Sequence, residues 1–432
     1  MSAPKHTLPV LSLVVGACLL PLGATLFPHV FWPGKGKPVQ DGDLRPELLE
    51  LASKANAFFI LESGAKRMQW PRENRPQIDG MAESNPRWAW DPNLATDLLA
   101  RNQGFLEVLD KALAVGKLQV LAPPTNDGYD KYLSRWSEFA MLASIQSAVH
   151  FREGREPEAL ELACKLIDLG HLYENSGGAE WHYRAGWTAK KSGLARLRQM
   201  VARTTLPVGR WKAVLKRLET EGADEKSLTN VFKVLYQVRV RVVDDLGVGK
   251  FPGTNETSGL IRFLGRTVGL PALNVGSTKD LFAQSTRVGL KGIHRHFSEL
   301  SSSELPDFSS PATVRTVLRG NAFGEFWYTA FEPPTGRILS AKCRENATMT
   351  GTRLVVALHC YHSEHGALPD SLEALVPEYF DHVPLDDFDG KPFRYSRAKR
   401  IVYSVEKDLV DDGGRGFERG RETSDLVFEL GF

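Results

Sequence analysis

A mainly helical chain is predicted, with a transmembrane helix at the N-terminus, a helical body and a small α+β module at the C-terminus. Three observations carry that prediction. Residues 8–32 form an uncharged apolar run, apolar residues recur at helical spacing through 94–240, and after residue 354 the pattern changes to turns and short alternating segments. The expected boundaries are 1–40 for anchor and spacer, 41–340 for the helical body and 341–432 for the module. A content of 42% hydrophobic and 25% charged residues suits a folded protein, and 432 residues suit two or three domains. With 54 basic against 52 acidic residues, the chain has no overall field that would draw nucleic acid, so no such partner is expected. Four cysteines cannot build a disulfide framework. Cys18 lies in the apolar run, and the odd number remaining (Cys164, Cys343, Cys360) leaves at least one free thiol unless chains pair.

From Leu8 to Trp32 the chain has 25 residues without Lys, Arg, Asp or Glu. At about 1.5 Å per residue a helix of that length crosses a hydrocarbon core of about 30 Å. The simplest reading is a single-pass anchor, with Leu8, Leu11, Val14, Leu19, Leu22, Phe27 and Trp32 among its lipid-facing residues. Pro21 and Pro28 kink such a helix at a cost lipid tolerates. Two alternatives stay open: cleavage of a signal peptide near Gly23-Ala24, and lipidation at Cys18, since Val15-Gly16-Ala17-Cys18 resembles a bacterial lipobox. Lys5 on one side and Lys35 and Lys37 on the other leave orientation undetermined by charge.

Pro33 to Pro38 reads as a stiff spacer, and 44–62 resumes a helical pattern through Leu48, Leu51, Ala52, Ala55, Phe58 and Phe59. Residues 63–92 gather Pro71, Pro76, Pro86 and Pro92 with Trp70, Trp88 and Trp90. They predict an irregular loop held down by aromatic anchors, or one offering an aromatic platform to carbohydrate or peptide. The clearest helical pair spans 134–170. Phe139, Leu142, Ile145 and Val149 share a face before Gly154 breaks the helix; Leu160, Ala163, Leu166 and Ile167 follow from Pro157 until Gly170. Residues Gly154 to Leu160 are similar to the turn and second helix of a tetratricopeptide unit, which hints at a peptide-binding groove. Arg184 to Arg217 carries ten basic and no acidic residues, a stretch for an anionic surface or, more simply, for the acids of adjacent helices. Residues 247–310, rich in Gly, Ser and Pro, predict long surface connections.

Motifs for catalysis fail at particular residues. Gly247-Val248-Gly249-Lys250 looks like the end of a phosphate loop, but Asp244 stands where the first glycine belongs and Phe251 where a hydroxyl must reach magnesium. No nucleophile elbow and no His-Glu-x-x-His pair occurs. The nearest approach to a metal cluster is His359, His362 and His365 with Glu364, whose helical spacing covers about 120°, the basis of a less favoured reading as a metal-dependent hydrolase.

From Ala357 the residues Ala-Leu-His-Cys-Tyr, then Gly366 and Pro369, then Ser371-Leu372-Glu373-Ala374-Leu375 lead into Val383-Pro384-Leu385-Asp386 and Gly390-Lys391-Pro392-Phe393-Arg394-Tyr395. Tyr403-Ser404-Val405, Asp408, Gly413-Gly414 and Asp425-Leu426 follow. This order resembles the head of the major pseudopilin of type II secretion. The resemblance implies a long helix, a short second helix, an antiparallel sheet and a calcium loop. In that loop Asp408 and Asp425 would give side-chain oxygens, and Val405 and Val410 carbonyls. Calcium takes six to eight oxygens, which a glycine-containing turn can gather from separated positions, and Asp408, Asp411, Asp412 and Asp425 around Gly413-Gly414 offer carboxylates for it. In this chain Asp387 and Phe388 replace the family's Pro and Trp, Asp389 is inserted before Gly390, and Glu406 and Leu409 stand where Gly is usual. No pilin-type leader motif precedes the apolar run. The expected role is a structural or adaptor protein of the bacterial envelope, without catalysis. It would be held in the inner membrane by one pass, with its bulk outside the cytoplasm, and its partners would be the bilayer and an unknown envelope protein. The alternative is a secretion or pilus assembly component that binds pseudopilins through the helical hairpin.

Overall fold

The computed structural model describes residues 36–47, 50–71, 73–82, 90–120, 130–220, 222–248, 273–300, 320–331, 335–416 and 424–432. The apolar run at 8–32 lies outside them, as do Trp88 and Leu48. Among the described residues no helix is long and apolar enough to cross a membrane.

The chain is mainly helical, with one small antiparallel sheet. Its contacts divide it into two units. One comprises the chain up to Arg45, Leu235–Val288 and Ser301–Pro334; the other comprises Pro46–Val234, Gly289–Leu300 and Thr335–Phe432.

The larger unit begins with α1 (Ala57–Ala65), α2 (Arg75–Ala82), α3 (Pro92–Arg101) and α4 (Phe105–Val115). The helix expected from residue 44 is confined to α1: Leu51 is only half-buried and Ala52 and Ala55 are exposed. Asn56 starts α1 by accepting from Phe58 N–H. The loop expected over 63–92 contains α2, because Pro76 falls in its first turn, where the missing N–H costs nothing. Pro92 likewise opens α3, behind an Asp91 cap that accepts from Asn93 and Leu94. Trp70 and Trp90 lie under the guanidinium groups of Arg75 and Arg152, at 5.0 and 4.5 Å.

The predicted hairpin is α5 (Asp130–Arg152) and α6 (Glu156–Glu174), joined through Gly154 and followed by α7 (Glu180–Val201). Gly170 does not end α6. A Cβ on Gly186 would stand 2.5 Å from the Gly170 carbonyl oxygen, and one on Gly193 would stand 2.5 Å from that of Ala163. These glycines let two antiparallel helices approach backbone to backbone. One core centres on Trp136, stacked on Tyr173 at 4.7 Å, with Phe58, Leu61, Leu109 and Phe139 around it.

After α8 (Val208–Arg217) the chain returns to this unit as α12 (Thr335–His365), numbered after α9 (Glu225–Gly247), α10 (Val275–Gly292) and α11 (Ala322–Ala330). α10 falls where the sequence predicts surface connections. Of the 31 residues of α12, 17 are buried, and they run from Thr335 to Cys360; the end of the helix is exposed. Gly366, at φ 73°, turns the chain away, a short 3₁₀ turn covers Leu372–Leu375, and β1 (Arg394–Ser396), β2 (Ile401–Ser404) and β3 (Leu426–Glu429) pair antiparallel in that order. A second core joins Leu354, Leu358, Phe388, Val402 and Phe428 of this region to Leu194, Leu197 and Trp211 of the helical body. Cys164, Cys343 and Cys360 are all buried; burial pushes the Cys360 thiol up to about 12.

In the smaller unit, Asp41 accepts from the Tyr236 hydroxyl at 2.8 Å, and Arg287 donates to Asp43 at 2.9 Å and to the Gln40 carbonyl at 2.6 Å. The segment after residue 36 is thereby fastened to α9 and α10. On α11, Tyr328 is buried against Phe282, their rings 5.2 Å apart.

Candidate functional site

The turn between α12 and the sheet is organised by Asp386. Its side chain is wholly buried and accepts from Phe388 N–H, Ser404 Oγ, Val405 N–H and Arg394 Nη1, at 2.9 to 3.1 Å. Burial raises its pKa, and these donors with the Arg394 charge oppose the rise. Asp389 takes the other branch of the Arg394 guanidinium. Asp387 accepts from Asn346 at 2.8 Å and lies 2.9 Å from Lys342 Nζ. The three acids of Leu385-Asp386-Asp387-Phe388-Asp389 thus tie the strand entry to α12 and to β2, and the buried Phe388 fills the core between them.

Beyond β2 the chain makes a tight turn, Glu406–Asp408, and then the acidic loop. Glu406 and Leu409 both have left-handed backbone, φ 58° and 59°, as do Gly413 and Gly414. The two positions at which the sequence resemblance expects glycine are therefore two that need positive φ. Glu406 is compensated by Arg344, whose Nη1 lies 2.6 Å from its carboxylate. Leu409 is 40% exposed and has no such contact.

The predicted calcium ligands lie in this loop. Asp408 accepts from Val410 N–H at 3.1 Å with one oxygen and from Ser424 N–H at 3.0 Å with the other, which draws the two ends of the loop together. Asp425 is buried, and one oxygen accepts from Gly414 and Arg415 N–H at 2.8 and 3.3 Å. Its other oxygen, and Oδ2 of Asp412, are buried without a hydrogen-bond partner. Burial raises the Asp425 pKa against the pull of these N–H groups. Val405 is buried with its N–H on Asp386, and Val410 is exposed. Among the described residues no three His, Cys, Asp or Glu side chains converge as a metal site. A cation here would rest on the two orphaned oxygens of Asp412 and Asp425, with carbonyls and water completing its shell. Asp412 is the residue that ligand assignment by resemblance passes over.

The three histidines do not converge. His359 packs edge-on to Trp211 and Phe432, at 6.0 and 5.0 Å, and burial lowers its pKa. His365 stacks on Tyr361 at 4.0 Å. His359 borders the core, His362 is half-buried and His365 is exposed.

The basic stretch 184–217 divides: Lys190 and Arg196 are buried, whereas Arg184, Lys191, Arg203, Arg210, Lys216 and Arg217 stay exposed. Lys190 is wholly buried between Glu174, at 2.6 Å, and Glu345, at 2.8 Å, and Tyr183 donates to Glu345 at 2.5 Å. Arg196 donates to the Met81 carbonyl and to Ser144 Oγ; Arg217 and Lys212 reach Asp168 and Glu378. Burial and the Glu345 charge push Glu174 well above the usual carboxylate range, and Lys190 opposes the rise. Sequence pattern places neighbouring acids near this stretch, but not Glu345, which lies 155 residues from Lys190.

The α5–α6 hairpin packs against α7 and α1–α4, and a cleft of about 440 Å³ opens where Asp168, His171 and Leu172 of α6 meet Leu113 of α4. A cleft of about 660 Å³ lies between α1 and the α3–α4 corner, lined by Phe59, Ile60, Met68 and Phe105 with Arg67, Arg101, Lys111 and Glu107; Lys111 pairs with Glu107 at 2.6 Å and Arg101 with Asp97 at 2.8 Å. No protein-family model, no curated protein and no solved structure matches this chain.

Proposed function

We propose that the chain is a structural or adaptor protein of the bacterial envelope. It is held in the inner membrane by its N-terminal apolar run and presents a helical body and a pseudopilin-like head outside the cytoplasm. The observation that carries this reading is the core shared by head and body. From Thr335 to Cys360 α12 buries one residue after another between the sheet and α7–α8, with Arg198 donating to Thr352 and Tyr183 to Glu345. A head fixed in this way serves as a platform; its helix is not free to pack into a filament as a pilin helix does. The left-handed positions 406 and 409 support the family resemblance, and the buried oxygens of Asp412 and Asp425 support a calcium ion in the loop. If bound, calcium would neutralise these acids and fasten the loop ends.

A second reading, a secretion or pilus assembly component binding pseudopilins, is favoured by the Phe59 cleft, whose apolar lining suits the apolar face of an amphipathic segment. Membrane fractionation with a carbonate wash tests the first reading. The full chain stays in the pellet if the run is an anchor. Release with a new N-terminus near Thr25 would mean cleavage and overturn the anchor.

A further inference from the structure

The smaller unit carries an outward aromatic face that the proposed function does not use. α11 reads Ala-Phe-Gly-Glu-Phe-Trp-Tyr-Thr-Ala and is followed by Phe331. Its inner face is Gly324 and Tyr328, with Ser285 and Phe282 against Tyr328. On the other side Phe323, Phe326, Trp327 and Phe331 follow one another at helical spacing. Phe323 stacks on Trp327 at 6.3 Å, and Trp327 meets Phe331 at 4.2 Å. Phe326 is 48% and Phe331 50% exposed. The only charged residue between 322 and 331 is Glu325, which is buried, so the exposed face is aromatic and uncharged.

The position of this helix says what covers it. Gly36 lies against the Asn274 side chain, Asn274 N–H donates to Asn321 Oδ1 at 2.8 Å, and Asn321 is the residue that starts α11. Trp32, the last residue of the uncharged run, precedes Gly36 by four residues, a span of at most about 14 Å of extended chain. Gln40, Asp41 and Asp43 fasten the following segment to the same unit, so the chain cannot carry this helix far from the end of the run.

We propose that α11 lies in the membrane interface beside the end of the N-terminal run, with Phe326, Trp327 and Phe331 among the lipid headgroups and upper acyl chains. The inference rests on the anchor reading. Phe and Trp favour that layer, where a ring meets hydrocarbon on one side and water on the other. A helix of nine residues, about 13 Å long, is too short to span and suited to lie flat. Lys35 and Lys37, next to the run, would face anionic headgroups.

Spin labels test this in the full chain. Phe326→Cys and Phe331→Cys, each in a Cys18→Ser background, are reconstituted in phosphatidylethanolamine–phosphatidylglycerol vesicles, with Lys407→Cys as an exposed reference. The inference expects labels at 326 and 331 to collide several-fold less with a water-soluble nickel complex, relative to oxygen, than the label at 407. Equal nickel access at all three positions would overturn it. So would shielding accompanied by spin–spin broadening, the mark of a second copy on this face, or shielding that persists without lipid, the mark of cover by protein. The carbonate wash reads the anchor independently. A washed-off protein whose labels are still shielded by added vesicles would sink the anchor and keep the interfacial helix.

Discussion

Lys190 between Glu174 and Glu345 shows how a buried charge is tolerated only while its partners remain. Replacing it with methionine leaves the two buried acids without their cation, and Lys190→Met should cost about 3–5 kcal/mol in urea denaturation. The raised Glu174 pKa also has a sign. The folded state binds a proton that the unfolded state releases above about pH 4.5, so this group makes stability fall as pH rises from there toward its folded pKa. Glu174→Gln, which keeps the neutral form, should flatten that decline and raise stability at pH 8; an unchanged slope would mean Glu174 is ionised in the fold. Leu409 poses the opposite case. Its left-handed backbone is strained and its side chain is 40% exposed, so Leu409→Gly should stabilise by about 0.5–1 kcal/mol. A loss instead would show that its side chain packs more usefully than its exposure implies.

The elements were legible where a single local rule decides them. Apolar spacing located α5 and α6, and the Gly366 turn with the short alternating segments located the sheet. The rule failed where one residue type has two uses. Gly170 resembles a helix end, but it allows α7 to approach; Pro76 and Pro92 resemble breakers, yet each occupies a first turn. The acidic loop divides in the same way. Its left-handed positions 406 and 409 coincide with those at which the resemblance expects glycine, whereas the choice among Asp408, Asp411, Asp412 and Asp425 depends on which oxygens the backbone already occupies. If calcium binds, it should stabilise the full chain by about 2.7 kcal/mol at a hundredfold excess over Kd. Asp412→Asn and Asp425→Asn should remove that increment in thermal melts with calcium and with chelator. Asp408→Asn should destabilise equally under both conditions, because it loosens Val410 and Ser424 N–H rather than a ligand. Identical wild-type curves in calcium and in chelator would exclude the ion.

At the scale of the whole molecule, the sequence discloses an apolar N-terminal run, a helical middle and a changed pattern at the C-terminus. It does not disclose that α12 serves the sheet and the helical body at once. That depends on contacts such as Lys190 with Glu345 and Arg198 with Thr352, more than 150 residues apart, which no local periodicity records. The central claim is that this fused body and head stand outside the cytoplasm on an uncleaved anchor. It is tested most directly by fusing, after Phe432, a phosphatase that folds only in an oxidising compartment, in parallel with a fluorescent protein that matures only in the cytoplasm. The account predicts phosphatase activity in intact cells and a dark fluorescent fusion; a bright fluorescent fusion with an inactive phosphatase would contradict it.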